Sequence, residues 1–167
     1  MFYRYELFML SASTRVLIVD DMTTMRTVVW KYLKDMGIEN IYQATNGFEA
    51  YSLLEGCGFD IDLVVCDWNM EPMNGFELLK KLRVHETGKK IPFVMITSEA
   101  DMIKIKTCIQ VGVDGYIIKP ISFESFKTKI NAIALKIVKK KYDLDEKTHV
   151  NNAYGNVKVV TDTAEDD

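Results

Sequence analysis

Short apolar runs of strand length alternate five times along the chain with longer stretches in which apolar residues recur at helical spacing. This alternation predicts an α/β domain whose parallel sheet is covered by helices on both faces, because strands buried on two sides read as nearly continuous apolar runs. The predicted strands span residues 15–19, 40–44, 62–66, 92–96 and 116–118. The predicted helices span residues 22–36, 47–55, 75–86, 99–111 and 123–140.

Residues at the predicted helix ends support these limits. Gly37 can end the first helix in the left-handed conformation, Asn46 precedes the second helix, and Ser122 can cap the fifth. The pattern therefore indicates one folded domain, residues 14–140, between an N-terminal extension of residues 1–13 and an acidic tail of residues 141–167. We expect the tail to be mobile. One run within it, residues 157–160, has strand propensity and is suited to pair with an exposed sheet edge.

Composition narrows the classes of function. With 167 residues, a net charge of -3 and a sequence pI of about 5.5, the chain has room for one domain and lacks the basic field that nucleic-acid binding needs. Cys57, Cys66 and Cys108 lack metal-ligand spacing, which favours a reduced, cytoplasmic setting. Charges interrupt the apolar stretch at residues 1–10, so we expect neither a secretory signal nor a membrane span, and Met9 is an alternative start.

Acidic residues follow two of the predicted strands: Asp20 and Asp21 come after the first strand, and Asp67 comes after the third. If these strands are neighbours, three carboxylates converge at one sheet edge, where a pair about 4 Å apart repels by roughly 1 kcal/mol in water and about 4 near a protein surface. Such a cluster suits a hard divalent cation. Taken alone, the acidic pair is more commonly a helix N-cap. Thr97 and Lys119, which follow later strands, favour a functional site.

The motifs at these strand ends resemble those of the receiver domain of two-component response regulators, over roughly residues 14–140. The residues that carry the resemblance are Asp20-Asp21, Asp67-Trp68-Asn69-Met70, Met73-Asn74-Gly75-Phe76-Glu77-Leu78-Leu79-Lys80, Thr97-Ser98-Glu99-Ala100 and Gly115-Tyr116-Ile117-Ile118-Lys119-Pro120. The resemblance implies a doubly wound, flavodoxin-like sheet of strand order 2-1-3-4-5, with ligands beyond the carboxyl ends of the strands. It also implies a cis peptide bond between Lys119 and Pro120.

The resemblance further implies how the site works. Asp67 is the phosphoacceptor, a carboxylate nucleophile, and Lys119 neutralises charge on the transferring oxygens. Thr97 and Tyr116 form the switch: the Thr97 hydroxyl bonds a phosphoryl oxygen, and the Tyr116 ring turns inward behind it. Without the resemblance, Thr97 reads as an ordinary β-branched strand residue and Tyr116 as an amphipathic residue at the sheet edge.

Mg²⁺ is the expected cofactor, since it binds proteins through one or two carboxylates together with phosphate oxygens and water. We expect Asp21 and Asp67 to be direct ligands and Asp20 to act through water. The resemblance implies the backbone carbonyl of Asn69 as the third protein ligand.

The resemblance also points to positions that tune the lifetime of the phosphoryl group, because they border the path of attacking water. Here they are Asn69 and Glu99, which imply a short-lived phosphoryl group. One departure from the family is the run Met70-Glu71-Pro72, in which Pro usually follows Met directly. Glu71 adds negative charge near the site, and Pro72 restricts the Glu71 backbone to extended geometry.

The fourth predicted helix carries a candidate contact for a partner. Met102, Ile105 and Ile109 lie on one stripe, which is expected to face the protein, and Ile103 lies off that stripe. We therefore expect Ile103 to be exposed.

The leading hypothesis is a stand-alone signalling switch, not an enzyme with an exogenous substrate, that autophosphorylates and autodephosphorylates with Mg²⁺. It would accept a phosphoryl group on Asp67 from a histidine kinase and bind a target, in chemotaxis a flagellar motor switch protein, without nucleic acid or membrane. The alternative is a phosphate sink or phosphorelay intermediate that passes phosphate to a histidine phosphotransfer protein. A Mg²⁺-dependent phosphatase with Asp67 as nucleophile ranks lower, because it needs a second positioned acid.

Overall fold

The computed structural model describes residues 10–141, 149–153 and 156–160. Within residues 10–141, five strands alternate with five α-helices, as predicted. The strands are β1 (Arg15–Val19), β2 (Asn40–Ala44), β3 (Leu63–Asp67), β4 (Phe93–Thr97) and β5 (Gly115–Ile118). The helices are α1 (Thr23–Asp35), α2 (Gly47–Gly56), α3 (Gly75–Val84), α4 (Met102–Val111) and α5 (Phe123–Lys141), with a short 3₁₀ turn, Gly88–Lys90, before β4.

The five strands form one parallel sheet in the order β2-β1-β3-β4-β5, which confirms the order that the resemblance implies. The register pairs Val19 with Cys66 and Asp67 with Ile96, so the carboxyl ends of β1, β3 and β4 lie at one edge of the sheet. Side chains at and just beyond these ends therefore meet in one crevice, where ligands bind in sheets of this kind.

Alternate residues of each strand face opposite sides of the sheet. On the side covered by α2, α3 and α4, the buried strand residues include Leu17, Val19, Val64, Cys66, Phe93 and Met95. On the side covered by α1 and α5, they include Val16, Ile18, Leu63, Val65, Val94 and Ile96. All of these side chains are at most 2% exposed, which explains the uninterrupted apolar runs. Because burial of one large aliphatic side chain contributes about 1.5–3 kcal/mol, the core holds the strands firmly beneath the carboxyl-end loops.

Specific side chains define the helix ends. Asn46 and Asn74 each accept a backbone N–H from the first turn of the following helix, and Glu77 completes a capping box with Asn74. Gly37 adopts a φ of 85° just after α1, and the Ser122 hydroxyl accepts a backbone N–H from the first turn of α5 at 3.2 Å. The predicted roles of Gly37, Asn46 and Ser122 are confirmed.

Three boundaries near the crevice differ from the prediction. β3 and β4 extend one residue further, so Asp67 and Thr97 are the last residues of their strands. α4 begins at Met102 rather than at residue 99, because the Asp101 side chain accepts a backbone N–H and caps the helix there. Glu99 therefore lies in the loop between β4 and α4, not in the helix.

The predicted inward stripe of α4 is wrong. Met102 and Ile109 are each 61% exposed, and the fully buried residue of this helix is Cys108. The helix that α4 mainly contacts is α3. The buried face of α4 is therefore narrower than, and different from, the face that would be buried if α4 packed directly on the sheet. Ile103 is 75% exposed, as expected.

The described residues beyond α5 form a separate two-stranded antiparallel sheet of β6 (His149–Ala153) and β7 (Asn156–Val160). β7 includes the strand-prone run at 157–160, but β6 was not predicted, because its sequence is rich in residues of low strand propensity. The mobility of the tail stays a prediction, and residues 142–148, 154–155 and 161–167 lie outside the described residues.

Other expectations concern the N-terminal extension, the membrane and the cysteines. Residues 1–9, and with them the alternative start, lie outside the described residues, whereas Leu10 is buried among side chains of α1 and α5. Over the described part of the chain, each helix is too short or too polar to cross a membrane. Cys57, Cys66 and Cys108 are free, as predicted.

At the amino-terminal ends of the strands, opposite the crevice, Asp62 links the starts of β1 and β3. Its fully buried carboxylate accepts hydrogen bonds from the Arg15 backbone N–H at 2.8 Å and from the Arg15 guanidinium at 3.1 and 3.2 Å. The Asp62 backbone N–H in turn donates to the Arg15 carbonyl at 2.9 Å. Asp60 also contacts the Arg15 guanidinium, but its side chain is 64% exposed.

We predict that Asp62→Ala lowers the free energy of unfolding by about 3 kcal/mol, because it removes a buried charge partner and leaves the Arg15 donors without their acceptor. Asp60→Ala, the matched control, should cost less than about 1 kcal/mol, since its ion pair is exposed to water. Urea denaturation of the two variants measures both values. Equal losses would contradict a structural role for the buried carboxylate.

Candidate functional site

An ion-paired lysine lies at the centre of the crevice. Lys119 follows β5, and its ammonium donates to the Asp67 carboxylate at 2.9 Å and to the Asp20 carboxylate at 3.2 Å. Asp67 and Asp20 are each only 5% exposed. The structure thus brings together three side chains that the sequence places at the ends of β1, β3 and β5, and Lys119 offsets the repulsion between the two carboxylates.

Asp21 completes an acidic cluster with Asp20 and Asp67. Carboxylate oxygens of the three residues lie within 4.8 Å of one another, and Asp21 is exposed while the other two are buried. The Asp20 carboxylate also accepts the Met22 backbone N–H at 2.8 Å, just before α1. Met22 is the N-cap residue of α1 and no side chain caps it, so the Asp20 contact belongs to the turn before the helix, and the N-cap alternative for the acidic pair is wrong. Three carboxylates open to solvent on one side suit a hard cation such as Mg²⁺.

The environment shifts the titration of the central pair. Burial raises the pKa of Asp67, and the hydrogen bond and charge of Lys119 only partly oppose this effect. Burial by itself lowers the pKa of Lys119, but the hydrogen bond and charge of Asp67, with the charge of Asp20, outweigh it and raise the pKa overall. The raised pKa of Lys119 therefore reflects its place between two carboxylates, whereas the raised pKa of Asp67 reflects burial.

Thr97 is fully buried at the end of β4, next to the strand that ends in Asp67. Its backbone carbonyl accepts a hydrogen bond from the backbone N–H of Lys119 at 2.8 Å, and its hydroxyl oxygen accepts one from the backbone N–H of Glu99 at 3.1 Å. Since a hydroxyl both donates and accepts, the Thr97 proton is still available for an acceptor in the crevice.

Tyr116 is linked to the same loop. The ring packs against the core on the side of α2, α3 and α4, and its hydroxyl donates to the Glu99 backbone carbonyl at 3.0 Å. Burial, together with nearby negative charges, raises the pKa of Tyr116 to about 12, so this hydroxyl remains a donor at neutral pH. Thr97 and Tyr116 therefore meet at Glu99, a connection that sequence reasoning did not predict.

The loop after β3 forms the outer wall of the crevice. The Asn69 backbone N–H donates to Asp67, which lowers the pKa of that carboxyl. A groove beside it is lined by Asp21, Trp68, Asn69, Met70, Glu71, Pro72, Asn74 and Glu77. The Lys119–Pro120 bond is cis, as the resemblance implies, and the Glu71–Pro72 bond is cis as well. Glu71 is exposed on this acidic wall, where the chain departs from the usual family pattern.

The fold and the site define a class of protein, the doubly wound α/β receiver whose carboxyl-end crevice holds an acidic cluster and a paired lysine. The sequence model of the response regulator receiver domain family matches residues 16–131. The chain belongs to this family, and it is a receiver of the CheY type found among chemotaxis response regulators, a family of signalling switches.

Relatives and solved structures agree with this assignment. The chain is 42% identical over 124 residues to the chemotaxis protein CheY-3 of Vibrio cholerae, covering 74% of this chain and 94% of that protein. The crystallised CheY4 of Vibrio cholerae has a TM-score of 0.64 at 31% identity, covering 70% of this chain and 95% of that one. A chain of the CheX-CheY-BeF3-Mg complex of Borrelia burgdorferi has a TM-score of 0.67 at 25% identity, covering 72% and 88% respectively.

Gly75, at the start of α3, holds the loop after β3 against the strand. Its backbone N–H donates to the Trp68 carbonyl at 3.0 Å, and a Cβ at this position would overlap the Asp67 carbonyl oxygen and lie 3.0 Å from the Cys66 sulfur. Gly56, in α2, has no atom within 4 Å of the corresponding position. The two glycines therefore differ in the space that they leave for a methyl group.

We predict that Gly75→Ala lowers the free energy of unfolding by about 2 kcal/mol, because the methyl group forces the loop away from β3. Gly56→Ala should raise it by up to about 1 kcal/mol, since alanine loses less backbone freedom in a helix. Urea denaturation compares the two. A tolerated alanine at residue 75 would show that the loop does not need this close approach.

Proposed function

We propose that the protein is a stand-alone, phosphorylation-activated receiver that accepts a phosphoryl group on Asp67 from a histidine kinase and thereby changes its binding to a chemotaxis target. The observation that carries the proposal is the position of Lys119, with its ammonium 2.9 Å from Asp67 and 3.2 Å from Asp20. A cation held there compensates charge both on the resting carboxylate and on phosphoryl oxygens that arrive beside it.

The chemistry of the step requires little from the protein beyond position and charge. An oxygen of the ionised Asp67 carboxylate attacks phosphorus, the bond from phosphorus to the donor breaks, and the donor group leaves with the bonding electrons. In hydrolysis, water attacks phosphorus, the bond between phosphorus and the Asp67 oxygen breaks, and Asp67 leaves as the carboxylate while inorganic phosphate and a proton are released. Lys119 stays protonated throughout, in keeping with its raised pKa.

The acidic cluster fits a magnesium ion. Asp21 and Asp67 would hold it directly, Asp20 would hold it through water, and the Asn69 carbonyl would be the third protein ligand. When bound, the ion supplies positive charge next to the phosphoryl oxygens. Exposed Asp21 faces the solvent from which such an ion enters, and the magnesium in the CheX-CheY-BeF3-Mg complex of Borrelia burgdorferi supports this ligand class.

Switching is proposed to act through Thr97 and Tyr116. A phosphoryl oxygen on Asp67 is an acceptor for the Thr97 hydroxyl, and movement of Thr97 acts on Glu99, whose N–H donates to that hydroxyl. The Tyr116 hydroxyl bonds the carbonyl of the same residue. The loop and the neighbouring surface of α4, β5 and α5 then exist in a resting and an activated conformation. Phosphorylation shifts the population toward the activated conformation to the extent that the phosphoryl group interacts more favourably with it.

Asn69 and Glu99 are proposed to set the lifetime of the phosphoryl group. Asn69 is exposed on the wall of the groove next to Asp67, and Glu99 lies in the loop on the other side of the crevice. Both residues border the path by which water reaches Asp67, so their side chains decide how easily hydrolysis proceeds.

Phosphorylation is tested first by tryptophan fluorescence. Trp68 stacks on Phe76 with a centroid distance of 5.1 Å. Because Trp68 directly follows Asp67 in the chain, we expect phosphorylation of Asp67 by acetyl phosphate with Mg²⁺ to quench the emission of Trp68. Trp30, 39% exposed on α1, is removed by Trp30→Phe to isolate the signal.

In the same experiment, Asp67→Asn should abolish both the quenching and the gain of one phosphoryl mass, and chelation of Mg²⁺ should prevent them. A quench that survives in Asp67→Asn, or a wild-type protein that gains no phosphoryl mass, would refute the proposed acceptor.

The target is tested by retention on a flagellar motor switch protein. We expect phosphorylated protein to be retained more strongly than Asp67→Asn, and Ile103→Asp to weaken retention by about tenfold, or 1.4 kcal/mol, because it buries a charge at the contact. Val84→Asp is the control, since Val84 is 85% exposed on α3. Transfer of phosphate only to a histidine phosphotransfer protein, without retention, would favour the phosphate sink or relay.

A further inference from the structure

Lys104, in the first turn of α4, reaches back to the loop that precedes its helix. Its ammonium donates to the Glu99 carboxylate at 2.6 Å, and the same nitrogen lies 5.7 Å from the centroid of the Trp68 ring. A carboxylate and an aromatic face are the two kinds of group that hold a lysine most favourably at a partly exposed site. Lys104 thus joins residues from the two loops on either side of Asp67.

The Glu99 end of this contact is fixed at its backbone too. The N–H of Glu99 donates to the Thr97 hydroxyl at 3.1 Å, and its carbonyl accepts from the Tyr116 hydroxyl at 3.0 Å. Lys104 adds the third contact, to the side chain. Lys104 therefore holds the Glu99 carboxylate, while Thr97 and Tyr116 hold its backbone.

The Trp68 end is held by stacking. The Trp68 and Phe76 rings are nearly parallel, with an interplanar angle of 3° and a centroid distance of 5.1 Å, and the Lys80 ammonium lies 4.9 Å from the centroid of the Phe76 ring. A continuous row of cation–π and stacking contacts thus runs from α4 to α3 through Lys104, Trp68, Phe76 and Lys80. These contacts keep the Lys104 ammonium beside Trp68, the residue that follows Asp67.

Charge at the crevice makes the position of Lys104 important. The groove next to Asp67 already carries the carboxylates of Asp21, Glu71 and Glu77. A small phosphoryl donor such as acetyl phosphate is an anion, so each unbalanced carboxylate on its path opposes its approach. Glu99 would be a further carboxylate of this kind if Lys104 did not pair with it.

We propose that Lys104 is a positioning residue of the phosphoryl-transfer site, which holds and neutralises the Glu99 carboxylate so that anionic donors reach Asp67. This inference rests on the proposed function and adds a residue to it. Lys104 acts on the approach of the donor, not on the bond-making step, in which the Asp67 oxygen replaces acetate on phosphorus and acetate leaves with the bonding electrons. Attack by water on the phosphorylated protein involves an uncharged reactant, so the charge of the pair acts mainly on phosphorylation, whereas Glu99 acts on hydrolysis through the position of its side chain.

The test is the second-order rate constant for phosphorylation by acetyl phosphate with Mg²⁺, followed by the mass gain. At low ionic strength we expect Lys104→Met to reduce it by about three- to tenfold. High salt should shrink the reduction, because added ions screen the exposed carboxylate. Lys106→Met, which removes the same charge from an exposed position of α4, is the matched control and should keep the wild-type rate constant.

Restoring the charge balance separates this role from a structural one. Adding Glu99→Gln to Lys104→Met should return the phosphorylation rate constant to near the wild-type value, and Lys104→Arg should retain it. The role of Lys104 would be overturned if Glu99→Gln did not restore the phosphorylation rate constant of Lys104→Met, or if Lys104→Met and Lys106→Met had equal rate constants. Either result would leave the proposed function standing. A wild-type protein that takes up no phosphate would refute the proposed function and this inference with it.

Discussion

The gathering of carboxylates around one ammonium is the constraint on which the rest of the site depends. A parallel sheet with β1 next to β3 brings Asp20 and Asp67 to the same edge, both almost buried, and two such charges about 4 Å apart repel by about 4 kcal/mol at an intermediate dielectric. Lys119 arrives from β5, on the far side of β4, and meets both carboxylates. The charge of Lys119 offsets the repulsion between the two carboxylates. It does not neutralise the whole cluster, because Asp21 adds a third negative charge that is open to solvent. The resting site is thus built to receive further positive charge and, with it, an anionic group.

The sheet can support this concentration of charge because its own stability comes from elsewhere. Two apolar clusters cover its faces, and the buried pair of Arg15 and Asp62 ties β1 to β3 at the opposite edge. Loops at the carboxyl edge carry the polar groups, and a close approach at Gly75 fixes one of them to β3. Most of the stability and the chemistry therefore occupy different parts of the same strands.

The sequence predicted most of this scaffold and several of the site residues, and the failures have physical causes. Apolar runs located the five strands because burial on both faces leaves no polar position to obscure them, and the strand ends then identified Asp20, Asp67 and Lys119. The strand order came from the resemblance, since a periodic pattern does not state which strands are neighbours. The face of α4 was wrong at Met102 and Ile109 because helical periodicity identifies a stripe without saying what covers it. Contacts of Glu99 with Lys104 and Tyr116 join separate segments through the loop between β4 and α4, whose end depends on the cap at Asp101, and no local pattern contains that information.

Glu99 is the residue at which the separate parts of the site meet. Its N–H, carbonyl and carboxylate contact Thr97, Tyr116 and Lys104 in turn, so one residue joins the end of β4, the middle of β5 and the start of α4. A residue bonded at three points moves only if the bonds change together, so on the proposed function the loop would shift between two arrangements and not over a continuous range. On the proposed function, a phosphoryl group that draws the Thr97 hydroxyl toward Asp67 acts on one of these bonds. The other two then determine whether the displacement reaches Tyr116 and the exposed face of α4, so the charge pair on Glu99 bears on both the chemistry and the signal.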